Sequence, residues 1–208
     1  MAADIVRVEH VSDTALMVAA ARAAETERPD GVVQDPFARH LAGDRGATLV
    51  EKLLVKDWLG IGVGLRCRTI DEMLVEAIAA HDIRAVVVLG AGLDTRAWRL
   101  DLPSELRWIE VDFATILDYK AEILASERPR CRLERLAANL TVESERQAVW
   151  AAAEGEPGLI LTEGLLLYLP ARTTDALATE PPQQSGIRHW LVDIAASSLS
   201  TASTRHRG

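Results

Sequence analysis

Apolar and polar positions follow one another along the chain in blocks that predict helices first and short buried strands later. The segment Val11–Thr26 has the apolar spacing of a helix and stops at a turn rich in Pro, Asp and Gly. "QDPFARHLAG" predicts a turn that enters a short helix ending at Gly43. Apolar residues at helical spacing predict a further helix over Asp71–His81. A helical part therefore precedes the first strand.

Five later segments predict strands. The first, Ala85–Leu89, is a continuous β-branched run typical of a strand buried on both faces of a parallel sheet. The others are Arg107–Asp112, Cys131–Ala137, Leu159–Glu163 and His189–Ile194. Because helical stretches separate them, the sequence predicts an α/β fold with a mostly parallel, doubly wound sheet. We expect one domain over 1–197, made of a helical part (1–84) and a sheet core (85–197), and a disordered tail over 198–208.

Composition narrows the classes of partner. The 208 residues carry a formal net charge of −8, which argues against a nucleic-acid backbone as the main partner. No apolar run is long enough to cross a bilayer, and Asp4, Glu9 and Asp13 stand where a signal peptide would be basic. The two cysteines, Cys67 and Cys131, lack metal-ligand spacing. We therefore expect a reduced, cytoplasmic protein with neither a metal site nor a membrane partner.

The first strand runs into a glycine turn, in "VVVLGAGLDTRAWRL". Gly90 and Gly92 fall at the carboxyl end of that strand, where an open parallel sheet binds ligands. A dinucleotide fingerprint would need Gly or Ala at the position of Thr95. The carboxylate of Asp94 would repel a pyrophosphate and would suit a cationic cofactor such as S-adenosylmethionine. A purely structural turn is the alternative.

Acidic residues follow two further strands. Glu110 and Asp112 end the second strand, about 20 residues beyond the glycines, where an acid can accept hydrogen bonds from ribose hydroxyls. Capping of the next helix is the alternative role. Glu163 ends the fourth strand and would suit a ligand ammonium, or would be a solvated loop acid.

Several segments together resemble the leucine carboxyl methyltransferase superfamily, and within it the bacterial branch of S-adenosylmethionine-dependent methyltransferases. They are "VSDTALMVAAARAAETERPDGVVQDPFARHLAG", "LRCRTIDEML", "VVVLGAGLDTRAWRL", "WIEVDFATILDYK" and "LTEGLLLYLP". The resemblance implies a Rossmann-like class I methyltransferase fold and methyl transfer from S-adenosylmethionine to an oxygen.

The resemblance also assigns cofactor-binding roles. Arg68 would hold the cofactor's carboxylate, with Arg66 as a weaker neighbour, and a guanidinium suits that task. The remaining matches are Gly90 and Gly92 at the turn, with Asp94 beside them, Asp112 on the ribose, Asn139 and Leu140 beside the adenine, and Glu163 after the fourth strand.

The sequence departs from its relatives at three places. Asn139 stands where they carry Asp, Thr69-Ile70 stands where they carry aromatic residues, and the chain stops before the rest of their sheet. Besides an O-methyltransferase for a small-molecule hydroxyl or carboxylate, two hypotheses stay open. One is a catalytically impaired remnant that binds S-adenosylmethionine, and the other is an NAD-dependent oxidoreductase. The sequence assigns no catalytic residue and no acceptor, and an open sheet edge would favour a homo-oligomer.

Overall fold

A computed structural model describes residues 11–52, 56–181 and 185–194. Its helices are α1 (Val11–Glu27), α2 (Ala38–Glu51), α3 (Lys56–Ala80), α4 (Arg96–Arg99), α5 (Ala114–Ile123), α6 (Glu143–Ala152) and α7 (Ala171–Thr179). Its strands are β1 (Ala85–Leu89), β2 (Arg107–Asp112), β3 (Arg132–Ala137), β4 (Gly158–Thr162) and β5 (Ile187–Val192). Among these helices none is both long and apolar enough to cross a membrane. The predicted disordered tail, 198–208, lies outside the described residues.

The strands form one parallel sheet in the order β3-β2-β1-β4-β5. The chain moves outward from β1 to β3 and then returns past β1 to β4, so the order reverses between β1 and β4. β1 and β2 have the predicted bounds, and the other three strands differ from the prediction by one or two residues. The predicted α/β fold with a parallel sheet is confirmed.

Helices cover both faces of the sheet, as a doubly wound fold requires. Val86 and Val88 of β1 pack in one core cluster with side chains of α1 to α5. Val87 and Leu89 belong to a second cluster, with side chains of α6 and α7. Since successive residues of a strand point to opposite faces, the continuous apolar run of β1 supplies both clusters.

The helical part is longer than the sequence pattern predicts. Gly43 has φ of +55° and breaks α2, as predicted, but a second helical stretch continues to Glu51. α3 begins at Lys56, so the predicted helix over Asp71–His81 covers only its second half. The first half contains three glycines, which have low helix propensity and hide the helix from a pattern search.

The two edge strands differ in how they are protected. Arg132, Glu134 and Arg135 put charges along β3, which discourages pairing with another chain. β5 carries Trp190 and Leu191 instead, and Ile194 just beyond it is 82% exposed. Among the described residues β5 pairs only with β4. The unguarded edge is the feature that would allow a second copy to dock.

The homo-oligomer therefore stays a prediction with a direct test. Light scattering across a concentration series should give a mass that rises from monomer towards dimer. Ile194→Lys should hold the mass at that of the monomer, because a charge at an edge opposes strand pairing. A monomeric mass for the unaltered chain at every concentration would contradict the prediction.

Candidate functional site

The glycine turn after β1 forms the floor of a crevice at the carboxyl ends of the strands. Gly90 and Gly92 have φ of +64° and +46°, which a residue with a side chain rarely adopts. A Cβ at Gly90 would lie 2.7 Å from Leu165 Cδ1, so packing within the chain also requires a glycine there. A Cβ at Gly92 would meet only Ala15 Cβ, at 3.6 Å. Gly92 is therefore the more open of the two glycines.

Asp112, at the end of β2, is tied to this turn. Its Oδ2 accepts a hydrogen bond from the backbone N–H of Gly92 at 2.7 Å, and its Oδ1 accepts one from Phe113 N–H at 2.7 Å. Burial raises the pKa of Asp112, although the two N–H donors oppose the rise. Each carboxylate oxygen has a second lone pair. Asp112 can thus brace the turn and still accept hydrogen bonds from a ligand.

Glu110 lies two residues earlier on β2 and does not belong to the crevice. It is fully buried, with Lys120 Nζ at 2.7 Å and Arg135 Nε at 3.3 Å. Lys120 Nζ also donates to the backbone carbonyl of Asp94 at 3.0 Å. Of the two acids that end β2, only Asp112 reaches the crevice, and Glu110 supports the turn through Lys120.

Asp94 faces into the protein. Its Oδ1 accepts a hydrogen bond from the Arg96 backbone N–H at 2.7 Å, and its Oδ2 pairs with the Arg96 guanidinium. Burial raises the pKa of this carboxyl, but the charges of Arg96 and Lys120 outweigh burial and lower it overall. The negative charge expected at the mouth of the turn is therefore partnered within the chain.

Thr95, which interrupts the dinucleotide fingerprint, has a structural partner. Its hydroxyl donates to Asp35 Oδ2 at 2.7 Å, and both residues are buried. Arg22 Nε donates to the same carboxylate oxygen at 2.8 Å and Arg22 Nη2 donates to the Leu93 carbonyl at 2.6 Å. These bonds anchor the turn to α1 and to the connection between α1 and α2.

Glu163 follows β4 and meets two arginines. Its Oε1 lies 2.9 Å from Arg66 Nε, and its Oε2 lies 2.8 Å from Arg96 Nη2. The Arg66 guanidinium also lies 3.7 Å from Asp193, which follows β5 and accepts the Gly164 N–H at 2.7 Å. Burial raises the pKa of Glu163, but Arg96 and Arg66 lower it to about 2. A partly exposed ion pair thus stands at the end of β4, beside the point where the strand order reverses.

The arginine at this position is Arg66, whereas we expected Arg68. Arg68 pairs with Glu72 on an exposed part of α3, with its side chain 55% exposed. Cys67, between the two arginines, points into the core. Residues two apart on a helix are separated by about 200°, so the two arginines occupy opposite flanks of α3. The structure does not bring Arg68 to the crevice.

Asn139 and Leu140 follow β3 at the same end of the sheet. Asn139 Oδ1 accepts the Thr141 N–H at 3.0 Å and the Thr141 hydroxyl at 2.8 Å, an arrangement that starts α6. Leu140 is buried in the core. Phe113, next to Asp112, is 50% exposed. Sequence reasoning missed Phe113, although its place directly after the acid of β2 was the available signal.

The sheet order and this crevice define an α/β protein of the Rossmann-like class, with its ligand site at the carboxyl ends of the strands. A solved structure, a "duf574 family protein" from Streptomyces avermitilis, has the same fold. It matches with a TM-score of 0.52 at 13% identity, over 80% of this chain and 63% of that one.

Sequence comparison identifies the family. The family model described as "Leucine carboxyl methyltransferase" matches residues 15–180. A Frankia alni protein named "Putative S-adenosyl-L-methionine-dependent methyltransferase" is 38% identical over 176 residues, which are 79% of this chain and 61% of that protein. A Streptomyces avermitilis protein of the same description is 34% identical over 83% of this chain and 64% of its own length. The chain belongs to the leucine carboxyl methyltransferase family, and it spans a little over 60% of the length of these relatives.

Proposed function

We propose that this chain binds S-adenosylmethionine in the crevice and acts in methyl transfer to an oxygen of a small molecule. The Arg66–Glu163 ion pair is the observation that carries the proposal. The methionine end of this cofactor is a zwitterion, with a carboxylate that a guanidinium can bind and an ammonium that a carboxylate can bind. The pair offers both partners side by side, at 32% and 15% side-chain exposure. The relatives' names support the same cofactor.

The charge around this pair supports a cationic ligand. Linked ion pairs join four carboxylates, of Asp71, Asp94, Glu163 and Asp193, to three guanidinium groups, of Arg66, Arg96 and Arg99. One negative charge is left over. A site with that excess favours a sulfonium and opposes a pyrophosphate, which argues against the NAD hypothesis.

The neighbouring strand ends would receive the rest of the cofactor. The Asp112 oxygens can accept hydrogen bonds from ribose hydroxyls while they keep the N–H bonds of Gly92 and Phe113. The half-exposed Phe113 ring and the backbone at Asn139 and Leu140 would flank the adenine. Asn139 keeps an amide group there in place of the charge that relatives carry.

The cofactor supplies a methyl group on a sulfonium, and the chain needs to place an acceptor oxygen in line with it and exclude water. A carboxylate acceptor needs no general base at neutral pH, whereas a hydroxyl benefits from one. His81 and His189 stack on each other at 4.5 Å near the opposite end of the sheet. Among the acceptor classes we therefore favour a carboxylate.

The proposal is tested by calorimetric titration of S-adenosylmethionine into the purified protein. Asp112→Ala should weaken binding tenfold or more, about 1.4 kcal/mol, because it removes the ribose partner and loosens the turn. Asp118→Ala is the matched control, since Asp118 is an exposed carboxylate on α5. NAD titrated in parallel should give no heat.

Failure of the folded, unaltered chain to bind would exclude the cofactor. Binding that Asp112→Ala and Asp118→Ala affect equally would place the cofactor elsewhere on the protein. Binding followed by turnover of any acceptor would exclude the impaired remnant.

A further inference from the structure

One guanidinium, that of Arg96, meets carboxylates from three separate parts of the fold. Its side chain is 2% exposed. Nε donates to Asp71 of α3 at 2.6 Å, Nη1 pairs with Asp94 of the glycine turn, and Nη2 lies 2.8 Å from Glu163 after β4. The contact with Glu163 is a close ion pair rather than an aligned hydrogen bond. Arg96 thus joins the two strand ends that flank the switch point of the sheet.

Arg66 and Arg96 differ in what they can give up. Arg66 is about one third exposed, and its second carboxylate partner, Asp193, lies 3.7 Å away. Arg96 is enclosed, so no ligand can replace its partners without opening the core. A ligand carboxylate can therefore reach Arg66 alone, and in binding there it would draw Arg66 away from Glu163.

That exchange is possible only if Glu163 keeps a cation. A buried carboxylate that loses its sole partner is strongly destabilised. We propose that Arg96 is a positioning residue, the standing partner that holds Glu163 in place while Arg66 changes partner from Glu163 to the carboxylate of the ligand. The inference rests on the proposed function, in which the ligand is the zwitterionic end of S-adenosylmethionine.

Other groups that face Glu163 do not replace Arg96. On α3, the Cys67 thiol lies 3.6 Å from Glu163 Oε1, and burial and the Glu163 charge raise the pKa of that thiol to about 12, so it stays neutral. Arg22 of α1 acts through its charge, but its guanidinium is bonded to Asp35 and Leu93.

The remaining charges near Glu163 are negative. Asp94 and Asp193 both oppose ionisation of Glu163, and each is bonded to another group. Burial opposes ionisation too, and Arg96 is foremost among the groups that favour it, ahead of Arg66 and Arg22. With Arg96 present, Glu163 is a carboxylate throughout the range above pH 5. Without Arg96 the pKa of Glu163 rises, and protonation on acidification removes the partner of the ligand ammonium.

The test measures S-adenosylmethionine affinity from pH 5.5 to pH 8 in three variants of the full chain. For the unaltered protein we expect no change in affinity caused by Glu163 over this range. Arg96→Met should bind at least tenfold more weakly at pH 8 and lose further affinity as the pH falls. Arg96→Lys should recover part of the loss and flatten the pH profile, because it restores the charge.

Arg99→Met is the matched control. Arg99 is buried and bonds Asp71 at 2.5 Å and 2.8 Å, so its loss disturbs the same network. Glu163 is not among the ion-pair partners that the described structure gives to Arg99. This variant should lower the melting temperature and leave the pH profile of binding flat.

The outcomes separate the two proposals. If the folded wild type binds no S-adenosylmethionine, both the proposed function and this inference fail. If the wild type binds and Arg96→Met matches Arg99→Met in affinity and pH profile, only this inference fails. Should Arg96→Met not fold, Arg96→Lys decides: a pH profile and affinity equal to the wild type's would support the role of the charge, whereas a tenfold loss with a flat profile would overturn it.

Discussion

Replacing Lys120 by Met should lower the free energy of unfolding by about 3 kcal/mol, near the lower end of the range for breaking a buried ion pair. Lys120 and Glu110 are both fully buried, with Nζ and Oε1 2.7 Å apart. Methionine fills a similar volume without charge and leaves the Glu110 carboxylate with Arg135 at 3.3 Å. It also removes the donor to the Asp94 carbonyl. Urea unfolding monitored by tryptophan fluorescence measures the loss.

The double variant Lys120→Met, Glu110→Gln is the control for that prediction. Because it removes both charges together, it should recover much of the lost stability, as replacement of a whole buried pair does in other proteins. A single variant as stable as the wild type would mean that Glu110 is solvated or protonated without Lys120. A double variant no better than the single one would assign the loss to the Asp94 carbonyl.

Local signals were strong where one strand or one turn decides the structure. The β-branched run of β1 can be buried on both faces only in a sheet covered by helices, and the two glycines after it could be placed at a positive-φ turn from their identity. The sheet class and the main location of the site followed from these two features. Family resemblance then added the nature of the cofactor.

Signals failed where two similar residues compete for one role. Glu110 and Asp112 share a face of β2, and the spacing in the sequence cannot tell which of them α5 covers. The answer depends on Lys120, eight residues after Asp112, which folds back over Glu110. Asp94 was expected to face a ligand, but Arg96, two residues later, takes its charge.

The two arginines of "RCR" pose the same problem on a helix. They lie on opposite flanks of α3, and only the packing of α3 against the sheet decides which flank faces the crevice. Arg66→Ala should weaken S-adenosylmethionine binding ten- to a hundredfold. The lost contact is a hydrogen bond between charged groups, worth about 1.5 to 3 kcal/mol. Calorimetric titration at pH 7 measures the effect.

Arg68→Ala is the matched variant, because it removes the same side chain two residues away. Its guanidinium pairs with Glu72 in an exposed i,i+4 ion pair, which is worth about 0.5 kcal/mol or less to the helix. Affinity should therefore stay within twofold of the wild type. The opposite result, with Arg68→Ala weak and Arg66→Ala unchanged, would restore the expectation drawn from the sequence and would require α3 to be rotated on the sheet. Equal losses in both variants would point to the net charge of α3, and raising the salt concentration should then abolish the effect, since screening acts on exposed charges and not on a direct contact in a partly buried crevice.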